Sequence, residues 1–306
     1  MNFIMKILTS YFNGFVSAFK TKKLVVTIYL ITLFLALIIS IPFGNTIGDK
    51  AGNSMAFISL LKDFNYTVYQ DFMNQYADAI YPLISIAIWT GVFYILFTIF
   101  FEGGILAVLT RKELKYSLTT FWGSGARYFS RFLRLAIYSI VIQVIIFFAV
   151  YIPVINIINS VSGSVESEKT LFYILLTGVV IHLILFILIL TVTDYAKIMM
   201  VENEKHKPFK TLFKSFGFVL KHLLSAYFLY LGLLIVPVIL FITYFWLEAE
   251  IGMSTGIKIF IIFIIQQLFI WCRVFIKIWI LGSELFLYEK LEIKGEPDLK
   301  EIVFEI

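Results

Sequence analysis

The chain has one cysteine, three histidines and six prolines in 306 residues, and only 15% of its residues are charged. The single thiol, Cys272, lies in an apolar segment, which excludes an internal disulfide framework and a cysteine metal site. His182, His206 and His222 are not at ligand spacing, and no HExxH, GxSxG, phosphate loop or CxxC pair occurs. These absences predict a protein that is not an enzyme and carries no metal or cofactor. The shortage of charge excludes a soluble domain, in which about a quarter of residues are charged.

What is present instead is hydrocarbon. Hydrophobic residues make up 60% of the chain, with 33 phenylalanines, and the mean hydropathy is +0.94. Charge-free apolar runs extend over 24–43, 81–101, 135–158, 170–193 and 223–247, and a sixth run over 259–282 contains charges. A bilayer core of about 30 Å is crossed by about 20 helical residues. Because no water there can satisfy free N–H and C=O groups, runs of this length must be helical. The predicted fold is all-α, a polytopic bundle of six transmembrane helices in a single membrane domain, 1–306, with 24–43 retained as an anchor rather than cleaved as a signal.

Basic residues set the orientation. If the N-terminus is cytoplasmic, 21 of the 25 lysines and arginines fall on the cytoplasmic side, leaving Lys50, Lys62, Lys169 and Lys258 outside. The positive-inside rule then puts both termini in the cytoplasm. A pI near 9.0 follows from basic loops beside anionic lipid and calls for no nucleic-acid partner.

The apolar runs also repeat. Glu102, Asp194 and Glu284 each follow the second span of a pair, at offsets of 92 and 90 residues. Gly125 lies 23 residues after Glu102 and Gly217 lies 23 after Asp194, each in an amphipathic stretch leading into a span, and Gly14 holds the matching place before the first span. The pattern predicts three parallel tandem units, each an interfacial amphipathic helix followed by a hairpin, over about 7–102, 117–194 and 210–284, with a cytoplasmic tail at 285–306. Two readings of the acids stay open. Each ends an apolar span at the water interface, paired to a lysine or arginine of the following amphipathic helix, or the three form an acidic cluster at a cytoplasmic opening.

Span six carries Gln266, Arg273, Lys277 and Glu284 at steps of 7, 4 and 7 residues, which places them on one helix face. An arginine at a span centre costs roughly 2.5–3.5 kcal/mol on insertion scales. The stripe either snorkels to the surface or faces a groove where a guanidinium meets a carboxylate or phosphate. On the second reading Gln266, Arg273, Lys277 and Glu284, with Glu102 and Asp194, form a site for an anionic headgroup or an ion pair. Two further polar groups sit within spans: His182, read as a packed histidine hydrogen-bonded to a neighbouring helix or as a proton relay, and Gln143, read as an amide joining helices. Small-xxx-small motifs are scarce, so close dimerisation through one is not predicted. The outer segment 44–80 shows an apolar stripe, Phe57, Leu60, Leu61 and Phe64 continuing through Val68, Phe72 and Tyr76, that predicts an outer helix or cap.

The run TDYAKIMMVENEKHKPFKTLFKSFGFVLKHLLSAYFLYLGLL at 193–234, with TFWGSGARYFSRFLRLAIYSI at 120–140, resembles a broad group of uncharacterised bacterial six-span membrane proteins. These are similar to the membrane domain attached to some glycerophosphodiester phosphodiesterases. The soluble phosphodiesterase domain, with its metal-binding acids and histidines, has no counterpart here, so the resemblance implies a protein of the bacterial cytoplasmic membrane near lipid metabolism and no catalytic residue. Three functions fit: lipid interaction or handling through the basic face of span six, a small-solute permease, and a membrane scaffold subunit that binds a cytoplasmic or membrane protein partner.

Overall fold

The computed structural model describes residues 3–52, 65–110, 117–161, 168–203, 207–252 and 255–292. Among them all regular structure is helical: α1 (Phe3–Lys20), α2 (Lys22–Ala51), α3 (Tyr66–Thr110), α4 (Leu118–Val161), α5 (Glu168–Glu202), α6 (Pro208–Lys221), α7 (Leu223–Ile251) and α8 (Gly256–Glu292). Six of these, α2, α3, α4, α5, α7 and α8, are long and apolar enough to cross a membrane, and each contains one of the six apolar runs. The chain is a multi-pass membrane protein. Pro42, Pro82, Pro153 and Pro237 lie inside spanning helices, a placement that membrane helices tolerate when neighbours satisfy the freed carbonyl.

The stretches before the spans differ from one another. α1 is separated from α2 by a break at Thr21 (φ −95°, ψ 30°), and α6 from α7 by one at His222 (φ −116°, ψ 29°). Pro208 opens α6 at the first helical turn, where its missing N–H has no partner to lose. The second stretch is continuous with its span in one 44-residue helix, α4, because RFLRLA at 131–136 offers only residues that a helix accommodates. In the outer segment, Phe57, Leu60, Leu61 and Phe64 lie outside the described residues, as do His206 and the tail beyond Glu292. Val68, Phe72 and Tyr76 belong to α3, which bends at Tyr76 (φ −120°, ψ 21°) before running on as a span.

By packing the chain forms two units. The first takes Met1–Ser17, Glu102–Leu234 and Trp279–Ile306. In it α4 and α5 form an antiparallel hairpin with Val154 against Gly178, Gln143 Nε2 donating to the Phe186 carbonyl at 3.1 Å and Thr193 Oγ1 bonded to Ser139 Oγ at 3.1 Å. The first part of α5 is largely exposed, but from Thr191 to Val201 every residue except Asp194 is buried. A helix covered all round must have neighbours all round. Here they include α6, whose Ser215 Oγ donates to the Val192 carbonyl at 2.6 Å, and whose Phe218 packs on Tyr195 and on Tyr288 of α8.

α1 is seated on the end of α8. Trp279 Nε1 donates to the Tyr11 carbonyl at 2.8 Å, Lys290 Nζ to Thr9 Oγ1 at 2.6 Å, and Gly14 lies so close to Ser283 that a Cβ there would collide with its side chain and backbone. The buried residues Ser10, Gly14 and Ala18 form a small-xxx-small ridge along α1, and it works within the chain. At the start of α4, Gly125 lies against Gly103 and Phe121 against Gly104 at the end of α3.

The second unit takes Ala18–Phe101 and Ile235–Ile278. Its helices are joined by hydroxyls: Tyr29 donates to Gln267 Oε1 at 2.9 Å, Gln266 Nε2 donates to Tyr244 at 3.1 Å, and Arg273 Nη2 donates to Tyr94 at 2.9 Å. Large side chains such as Phe34, Trp89, Phe245 and Phe260 are exposed, as a lipid-facing surface requires.

Candidate functional site

The first unit brings together Glu102, Asp194 and Glu284. Glu102 comes from the end of α3, Asp194 from α5 and Glu284 from α8, and all three share one electrostatic neighbourhood with Lys197. Lys197 Nζ lies 2.7 Å from Asp194 Oδ1 and 2.9 Å from Glu102 Oε2. The helix itself presents this ammonium, since Asp194 and Lys197 are one turn apart on α5. Lys197 is only 8% exposed and Glu284 is completely buried. A buried ion pair of this kind gains stability only when its geometry is good, because both ions have left water.

Glu284 stands apart from the pair. Neither of its carboxyl oxygens has a hydrogen-bond partner among the described residues, and nor does the hydroxyl of Tyr195, which is fully buried and lies in the field of Glu284 and Asp194. Tyr230 of α7 is in the field of all three acids. Among the described residues no group of three or more Asp, Glu, His or Cys side chains is placed to hold a metal ion. The arrangement can lock Lys197 between two carboxylates and keep a third carboxyl in a water-poor pocket of tyrosines.

Comparison with family models, curated proteins and solved structures finds no match.

Several sequence expectations change here. The cation bridging Glu102 and Asp194 is Lys197 of α5 itself. Lys197 reads in sequence as the first positive charge after an apolar span, and only the all-round burial of α5 turns it inward. Glu284 is enclosed, and α1 covers the adjacent Ser283. Along α8 the stripe divides: Gln266 and Lys277 are half-buried, Arg273 is exposed and Glu284 is enclosed. Gln266 and Arg273 meet tyrosine hydroxyls rather than carboxylates. Sequence reasoning missed Gln267, Tyr94 and Tyr244, which as single polar groups in aromatic-rich spans gave no signal.

The remaining polar residues resolve separately. Gln143 does join α4 to α5. The Nδ1 of His182 is buried without a hydrogen-bond partner among the described residues, and its ring packs against Tyr151 at 5.4 Å and Phe147 at 6.0 Å. His222, at the break between α6 and α7, is held below the ordinary imidazole range by burial and then by the ammonium groups of Lys221 and Lys6. Gly217, matched in spacing to Gly125, faces open space, and the small residue that packs in α6 is Ser215.

Proposed function

We propose that this is a non-enzymatic protein of a bacterial cytoplasmic membrane that binds and handles anionic lipid, with Arg273 as the headgroup-contacting residue. The observation that supports this is the state of Arg273: exposed on a helix of lipid-facing Phe, Ile and Leu, with one neutral partner, the Tyr94 hydroxyl. A guanidinium has five N–H donors in a planar fork suited to phosphate. One phenol neither neutralises it nor uses that fork, and an unpaired cation in hydrocarbon is costly. A lipid phosphate drawn in from the cytoplasmic leaflet supplies both charge and geometry.

Native mass spectrometry of protein extracted with its lipids tests the reading. Wild type should retain anionic lipid, Arg273→Leu should lose it, Arg273→Lys should hold it more weakly, and Tyr94→Phe should leave binding in place. Equal lipid retention by wild type and Arg273→Leu would sink the proposal.

The reading also takes the chain as three tandem units with both termini cytoplasmic. What supports it is a set of three contacts beside the acids: Gly125 at Gly103, next to Glu102; Ser215 at Val192, near Asp194; and Gly14 at Ser283, next to Glu284. Each amphipathic stretch thus seats on the acid-bearing end of the preceding unit, and the first seats on the third. That cyclic order suits parallel repeats around an axis along the membrane normal. A second function, a small-solute permease, is favoured by one observation, the buried acids and lysine at that axis, since ionisable groups enclosed in a span bundle often line ion pathways.

A further inference from the structure

The lipid reading makes no use of the enclosed carboxyl of α8. Glu284 is fully buried, both of its oxygens lack a hydrogen-bond partner among the described residues, and the one ammonium beside it already bridges Glu102 and Asp194. An isolated buried carboxylate without a donor is costly enough that a counter-cation is required. Among the described residues no metal-holding group is formed there, and the smallest cation, a proton, needs no coordination sphere. From this geometry we infer that Glu284 is an exchangeable proton-binding site beside the Glu102–Lys197–Asp194 bridge.

The groups facing it come from three other helices: Glu102 of α3, Asp194, Tyr195 and Lys197 of α5, and Tyr230 of α7. They divide into two roles. Lys197 is the cation to which Glu284 turns when its proton leaves, and Glu102 and Asp194 are its competitors for that cation. The buried Tyr195 hydroxyl, also without a described partner, is a donor available to the carboxylate. In the exchange the O–H bond of the Glu284 carboxylic acid breaks, the proton passes to water, and the remaining carboxylate shares Lys197 with the other two acids. The inference is independent of any lipid at Arg273.

Infrared difference spectroscopy of the full chain in lipid nanodiscs, stepped in pH, reads the proton directly. Wild type should show a carboxylic-acid carbonyl band that shifts in heavy water and disappears reversibly as pH rises, and Glu284→Gln should lack it entirely. Glu102→Gln and Asp194→Asn should keep the band and alter the pH at which it disappears. A wild-type band that persists at every pH where the protein is folded, or one retained in Glu284→Gln, overturns the proposal. Should Glu284→Gln fail to fold, Glu284→Asp must move the band, and an unmoved band overturns the proposal equally. A dye-detected pH jump supplies the count: wild type should release one proton more than Glu284→Gln, and equal release refutes the site.

Discussion

Replacing Lys197 by methionine keeps most of the side-chain volume and removes the ammonium. In the structure that group lies 2.7 Å from Asp194 and 2.9 Å from Glu102 and is 8% exposed, so solvent cannot replace it. Removing one partner of a buried pair typically costs about 3–5 kcal/mol, because the other charge stays buried. An exposed bridge is worth about 1 kcal/mol or less, so the two descriptions are separable. Taking about 2–4 °C per kcal/mol from soluble domains of 150–250 residues, Lys197→Met should lower the unfolding temperature in detergent by on the order of 10 °C. Adding Glu102→Gln and Asp194→Asn removes the stranded charges and should restore much of the loss, a non-additivity of about 1–3 kcal/mol. A loss under about 1 kcal/mol in Lys197→Met, or strictly additive losses in the triple variant, would refute the buried-pair account.

Two further predictions follow from other features. Gly14→Val should destabilise by about 1–3 kcal/mol, as overpacking does, because its side chain meets the Ser283 backbone. Gly217→Ala, at a helical position with open space, should be neutral or stabilise by up to about 1 kcal/mol; thermal unfolding compares the pair, and equal losses would count against the seating of α1. Orientation is tested with Lys169→Cys and Lys207→Cys in a Cys272→Ser background. An impermeant thiol reagent should label only Lys169→Cys in intact cells, and the reverse pattern would overturn the assigned topology.

The spanning helices were legible because their signal is local: some twenty apolar residues can do only one thing in a bilayer. The acids were legible as single charges closing long apolar runs. Their partners were not. Lys197 stands one turn after Asp194, and nothing local separates a lysine that leaves the membrane from one buried against a neighbouring helix. The Ser10, Gly14 and Ala18 ridge was readable as a motif, but its target, Ser283, lies at the far end of the chain. Helical spacing groups Gln266, Arg273, Lys277 and Glu284, but it cannot show that Arg273 is exposed while Glu284 is enclosed, which depends on what packs at each.

The seat of α1 on α8 has a consequence for how the protein is made. The hydrogen bonds from Trp279 and Ser283 to Tyr11 join residues 268 and 272 positions apart, so α1 docks against a helix made some 270 residues after it. At about 5–20 residues per second, α1 waits roughly a quarter of a minute or more for its partner, with Phe12, Val16 and Phe19 free to rest on the membrane surface meanwhile. Loop closure over that distance comes late and is entropically expensive. Glu284 is neighbour to that closing contact, so the cluster is completed only once α8 has been made, and a nascent chain arrested before α8 keeps α1 undocked with its Gly14 face uncovered.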